Sequence, residues 1–277
     1  MDEELIEDFW WFTGERHQIY RRRFEQGDAP PWTTDHVLAT YRFTNVYRDL
    51  DPGTVYILDK LDRHFGDPVD LFWTAAVYRM LNRIETFERR GFPDRLRAGI
   101  ADWHGEIMED KRAGTPVATG AHCTHVSNIK PWLLDWADDS IVQPVIAKIL
   151  EARSALDVQR ALNRMRGLGA FMSQQVMLDY LWSSHSHLSR DAWVPLAVGS
   201  NAALDLMLTG SLDAKAGPIA RSDLYAQLHA TQRAPDGGRD LTYTDLEHAL
   251  CEWGKYRRIS AGRPMPNRQY FKTRTTT

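Results

Sequence analysis

Apolar residues return at helical intervals along almost the entire chain, and this period constrains the fold more than any other feature. Between residues 3 and 25, Leu5, Ile6, Phe9, Trp10, Phe12, Ile19, Tyr20 and Phe24 fall mostly three or four positions apart. That spacing gathers them on one stripe of a helix, where they can be buried together. Similar patterns predict helices through VLATYRFTNVYR (ending near residue 48) and around 54–65, 68–90, 93–111, 130–138, 140–152, 155–165, 170–183, 201–209, 220–230 and 242–258. Breakers separate them: Pro30-Pro31, Asp51-Pro52-Gly53 and Asp236-Gly237-Gly238. Thr33-Thr34-Asp35 and Thr242-Tyr243-Thr244-Asp245 offer caps for the helices that follow. Residues 112–128 and 184–200 read as loops. No run alternates apolar and polar residues as a central strand would. The expected fold is all-α, a single helical domain over residues 1–277 in one or two lobes, with a helix-hairpin-helix over 155–183 and a flexible tail at 272–277.

Composition closes off several classes. With 43% hydrophobic and 26% charged residues, the 277-residue chain can bury a large core. No apolar run reaches the roughly 20 residues that span a bilayer. The acidic start, MDEELIED, is the opposite of a signal or transit peptide. Two cysteines, Cys123 and Cys251, cannot build a disulfide framework, and a reducing cytoplasm is expected. His122, Cys123 and His125, or His185 and His187, lack further ligands at zinc-like spacing, so no metal is expected. There is no G-x-x-x-x-G-K-[ST] phosphate loop and no G-x-S-x-G elbow, and no cofactor is implied.

Net charge is −3, but it is unevenly spread. Lys255, Arg257, Arg258, Arg263, Arg268, Lys272 and Arg274 stand near the end against Glu252, and Arg21-Arg22-Arg23 form a second cluster. Basic ends on a near-neutral body suit a polyanion, or else a solvated tail.

The stretch RMRGLGAFMSQQVMLDYLW, residues 164–182, places Gly167-Leu168-Gly169-Ala170 between two amphipathic helices. In a helix-hairpin-helix such a hinge lies along a DNA strand. Its backbone N–H groups and the N-terminus of the second helix meet phosphate oxygens there, and glycine lets the strand approach. A plain helical turn with a glycine cap is the alternative. Two further stretches are rich in polar and aromatic groups. In residues 14–51, Arg42, Asn45 and Arg48 would share one helix flank, with Arg16 and Tyr20 one turn apart on the preceding helix. Such arginines can chelate phosphate, or form a salt-bridged surface with Asp35, Asp49 and Asp51. In residues 241–263, Glu247, Cys251 and Lys255 form a stripe at i, i+4, i+8. It suits proton exchange with a thiol nucleophile between, or plain helix packing.

FW-x-F-x-x-ERHQIYRRR, PWTTDHVLATYRFTNVYRDLD, RGLGAFMSQQVMLDYLW and TDLEHALCEWGKYRR, in this order, span nearly the whole chain. Together they resemble the α-glutamyl/putrescinyl thymine pyrophosphorylases, the amino acid:DNA transferases of phages with hypermodified thymines. They are also similar to the helical domain of 5-hydroxymethyluracil DNA kinases. The resemblance implies a helix-hairpin-helix DNA glycosylase-like fold and work in the host cytoplasm. The implied substrate is double-stranded DNA carrying a uracil that an upstream DNA kinase has pyrophosphorylated. Displacement of pyrophosphate by a free amino acid, with glycine favoured, or by a polyamine is the implied reaction. It further implies that Arg16, Arg42 and Arg48 hold pyrophosphate, that Trp32, Phe43 and Tyr256 line a base pocket, and that Asn45 reads the uracil edge. Asp179, Glu247 and Lys255 are the candidates for proton transfer or amine recognition. Asp191 stands near the place of the glycosylase aspartate, in a loosely matching context. A glycosylase or lyase, or a non-catalytic DNA-binding helical module, are the alternatives.

Overall fold

The computed structural model describes residues 2–63, 67–119, 126–263 and 270. His122, Cys123, His125, Arg268 and the expected tail at 272–277 lie outside the described residues. Those described form thirteen α-helices and no β-strand. The fold is all-α. The chain divides into two compact units, residues 1–51 with 196–277, and residues 52–195.

The first unit is built from α1 (Glu3–Tyr20), α2 (His36–Thr40), α11 (Val198–Thr209), α12 (Pro218–Ala230) and α13 (Tyr243–Ser260). A π-turn, Arg21–Glu25, extends α1. Phe9, Phe12, Ile19, Leu204, Met207, Leu246, Leu250 and Trp253 meet in its core. Small residues let α11 and α13 pack closely. A Cβ on Gly199 would lie 2.4 Å from the Cys251 sulfur, and one on Gly254 would lie 3.3 Å from the Ala203 Cβ. Asp2 caps α1, and Thr242 with Asp245 forms a capping box on α13.

The helix expected to run to residue 48 stops at Thr40. Tyr41 is extended (φ −108°, ψ 144°), and Asp35 caps the short α2 that remains. The segment TYRFTNVY is rich in aromatic and β-branched side chains, which lose rotamer freedom in a helix and suit extended backbone. Extension buries Tyr41 and Phe43 and turns Arg42 outward. Arg42, Asn45 and Arg48 therefore do not share a helix flank.

The second unit holds α3 (Pro52–Leu61), α4 (Pro68–Leu81), α5 (Ile84–Arg90), α6 (Arg97–Arg112), α7 (Ile129–Trp136), α8 (Asp139–Leu150), α9 (Ala155–Leu162) and α10 (Ala170–Trp182). Every residue of α4 from Leu71 to Leu81 is buried, as expected of a central helix. The single helix expected over 68–90 is split at Asn82, whose left-handed conformation (φ 49°, ψ 43°) ends α4.

Candidate functional site

α13 lines up Glu247, Cys251 and Lys255 as the spacing requires, with His248 and Glu252 alongside. The extended segment 43–48, α1 and the start of α11 bring the remaining groups. Glu247 is buried, and its Oε1 accepts hydrogen bonds from the Ser200 hydroxyl (2.7 Å) and the Ala197 N–H (3.2 Å). Burial raises its pKa, and these two donors offset only part of the rise. Lys255 pairs with Glu252, not with Glu247: Nζ lies 2.6 Å from Oε1. The other Glu252 oxygen accepts the Thr44 N–H at 3.1 Å.

Arg16 reaches this region from α1. Its Nε and Nη2 donate to the Phe43 carbonyl (3.2 and 2.8 Å), and Nη2 also donates to Asn45 Oδ1 (2.8 Å). Asn45 in turn donates to the Leu50 carbonyl at 2.7 Å. Arg16 is only 5% exposed, yet no carboxylate lies within ion-pair distance among the described residues, and its buried Nη1 has no hydrogen-bond partner there. Burial lowers its pKa, opposed by charge on Tyr270 and Glu252. A buried guanidinium held only by neutral acceptors is costly unless a ligand completes it.

Arg48 is also buried. Its backbone N–H donates to Asp245 (2.6 Å), and its Nη1 lies 2.8 Å from His248 Nε2. His248 Nδ1 is 3.1 Å from the Thr244 carbonyl. The ring therefore carries its proton on Nδ1 and accepts from Arg48 at Nε2. Desolvation, reinforced by Arg48, takes its pKa from 6.5 down to about 3. The unfolded chain therefore binds this proton first, and the stability contributed by the neutral ring is lost as pH falls from about 6.5 toward 3. Glu247 and Asp245, with raised pKa values, act in the opposite sense, losing stabilisation as pH rises past the ordinary carboxylate range. A comparison of urea unfolding for the wild type and His248→Gln isolates the histidine. The wild-type profile should fall more steeply below pH 6.5, by up to about 1.4 kcal/mol per pH unit. Parallel profiles would mean that the ring takes up its proton without cost.

The remaining sequence candidates separate. Arg42 is exposed and does not join Arg16 and Arg48. Phe43 and Tyr256 are core residues, packed on Phe12 with ring centroids 5.6 and 5.2 Å away. The Tyr256 hydroxyl donates to Asp35, and burial with that carboxylate pushes its pKa up to about 12. Only Trp32 of the three aromatics keeps a partly open face. Burial raises the pKa of the Cys251 thiol, which packs toward Gly199, in keeping with the packing alternative for this stripe. His248, Glu252, Thr44 and Ser200 were missed. Glu252 and Lys255 stand at i, i+3, a spacing that permits their pairing on a helix but does not select it over Glu247. The contacts of Thr44 and Ser200 had no sequence signal.

In the second unit, the turn 163–169 joins α9 to α10, and Leu168 is buried. Its two glycines differ. Gly167 has φ +87°, and a Cβ there would lie 2.4 Å from the Trp132 ring. Gly169 has an ordinary φ of −65°, and a Cβ there would meet nothing within 4 Å. Gly169 and Ala170 are exposed at the start of α10. Asp179 is fully buried on α10, gripped by Arg79 at 2.5 and 2.6 Å. Asp191 is exposed on a loop, where its N–H donates to the Ser189 hydroxyl. Among the described residues no group of three His, Cys, Asp or Glu side chains is placed to hold a metal, and no helix is long and apolar enough to cross a membrane.

The family model for the helical domain of 5-hmdU DNA kinase matches residues 3–264. The chain is similar to a 5-hmdU DNA kinase of Bacillus phage SP10, with 34% identity over 132 residues. That match takes in 46% of this chain but only 20% of the relative. No solved structure matches significantly. Nearly the full length is thus accounted for, from α1 past the end of α13, and the chain belongs to the family of the 5-hmdU DNA kinase helical domain.

Proposed function

We propose that this chain modifies DNA bases, replacing the pyrophosphate of a 5-pyrophosphoryloxymethyl-uracil with the amine of an amino acid or polyamine. The buried, incompletely bonded guanidinium of Arg16 carries this reading, because it offers a prepared donor to an oxyanion. Arg48, held by His248, is the second cation assigned to pyrophosphate. Trp32 offers a face to the base, and Asn45, fixed between Arg16 and Leu50, stands at the same segment. The partly exposed Lys255 and its partner Glu252 are assigned to the amine.

The reaction breaks the bond from the 5-methylene carbon to oxygen, and the electron pair departs with pyrophosphate. The amine lone pair forms the new C–N bond. The proton that the incoming ammonium must lose passes to the Glu252 carboxylate, which Lys255 orients, and from there to solvent. Glu247, occupied by Ser200 and Ala197, fixes the start of α11 against α13. The relationship to a phage 5-hmdU DNA kinase supports DNA thymine modification as the setting.

The test uses DNA carrying pyrophosphorylated hydroxymethyluracil, a panel of amines, and mass spectrometry of the digested nucleosides. An N-linked thymidine is the expected product. Free base would identify a glycosylase, and unchanged nucleosides with retained DNA binding a non-catalytic module.

In this reading the hairpin grips the duplex backbone through Gly167, Leu168, Gly169 and Ala170. Gly169 is its sensitive point, because nothing in the fold requires glycine there. Gly169→Ser supplies a better helix cap and should leave the thermal midpoint level or higher. It should also weaken duplex binding several-fold, because the added side chain holds phosphate off. Unchanged affinity in a titration would take DNA away from this turn.

A further inference from the structure

The π-turn Arg21–Glu25 carries two exposed residues, Arg23 and Phe24, that the proposed chemistry does not use, beside Trp32, the ring assigned to the base. The Arg23 guanidinium carbon lies 4.7 Å from the Phe24 ring centroid, 5.0 Å from Trp32 and 5.7 Å from Tyr270. Trp32 and Tyr270 meet at 5.5 Å with their planes 66° apart. Phe24, at 53% exposure, presents a large apolar ring to water beside three consecutive arginines. Arg21 and Arg22 are paired with Glu25 and Glu15, whereas Arg23 has no carboxylate partner among the described residues. Arg23 and Tyr270 both lie close enough to Arg16 to act on its charge.

A cation stacked among aromatic rings, with no counter-charge of its own, is complementary to unpaired nucleic acid. Rings accept the π-face of any base, and the guanidinium accepts the phosphate or stacks in turn. Paired bases in a duplex keep their faces covered and cannot use such a surface. We infer that Arg23, Phe24, Trp32 and Tyr270 form a stacking platform for an unpaired nucleotide strand. The inference rests on the nucleic-acid part of the proposed function and adds the strandedness of the ligand and the residues that read it.

Fluorescence anisotropy with a labelled oligothymidylate, unmodified and single-stranded, tests it on the full chain. The wild type should bind the single strand. Phe24→Ala should weaken that binding about tenfold with the salt dependence unchanged. Arg23→Ala should weaken it similarly and lower the log–log salt slope by about 0.7. Both side chains are exposed, so a thermal midpoint within about a degree of wild type, small on the scale of a destabilising substitution, marks the variants as folded. Wild-type affinity in both variants, or no single-strand binding by the wild type, overturns the platform. The transfer assay fails separately: a chain that makes no N-linked thymidine, yet loses strand binding in these variants, keeps the platform and loses the transferase.

Discussion

Arg16→Met is expected to lower turnover about 10²–10³-fold while leaving the thermal midpoint unchanged or raised. The two effects have one cause. Arg16 sits 5% exposed with its charge met only by the Phe43 carbonyl and the Asn45 side chain, and its Nη1 is unused among the described residues. Holding it there costs desolvation that no ion pair among the described residues repays. Methionine fills comparable volume and removes that cost, at the expense of two acceptors left without a donor. In the proposed reaction a ligand anion recovers the cost only when bound, so the loss falls on transfer. The measurement pairs steady-state transfer with a thermal melt. A drop in stability without loss of turnover would make Arg16 a structural clamp for the segment 43–45.

Asp179→Ala should behave in the opposite way. The carboxylate and Arg79 are 0% and 2% exposed and are joined by two bonds, with Asn82 and Thr54 taking other guanidinium hydrogens. Removing Asp179 leaves a buried cation uncompensated and should cost about 3–5 kcal/mol. Urea unfolding should show this as a lower midpoint. The double variant Arg79→Met/Asp179→Leu removes both charges and should recover most of the loss. A double variant no better than the single one would assign the damage to lost packing instead.

These two residues show where the sequence is legible and where it is not. Arg16 was marked by its place in a dense polar stretch, and the structure adds that it is buried with a donor unused among the described residues. Asp179 looked the same on paper: an acid on an amphipathic helix beside a suggestive hinge. Its partner lies 100 positions earlier in the chain, on another helix of the same unit. Linear spacing carries no information about such a contact.

Helix periodicity, caps and breakers placed most helices, because burial of one stripe and satisfaction of end groups are local demands. They failed over residues 41–48, where apolar residues also fit a helix. Core positions for Tyr41 and Phe43 overrode the pattern and gave extended backbone, which parted Arg42 from Arg16 and Arg48. The stripe on α13 was likewise visible, since a helix turns by a fixed angle per residue. The choice of Glu252 over Glu247 as the partner of Lys255 was not visible, because it depends on which acid faces Ser200 across a tightly packed helix pair. By itself the sequence determined the all-helical class, most helix positions and the polar face of α13, all governed by neighbours a few residues apart. The tertiary structure alone decided which charges are paired, which glycine is needed for packing and which acceptors a buried guanidinium meets, because these depend on partners far along the chain and on exclusion of water.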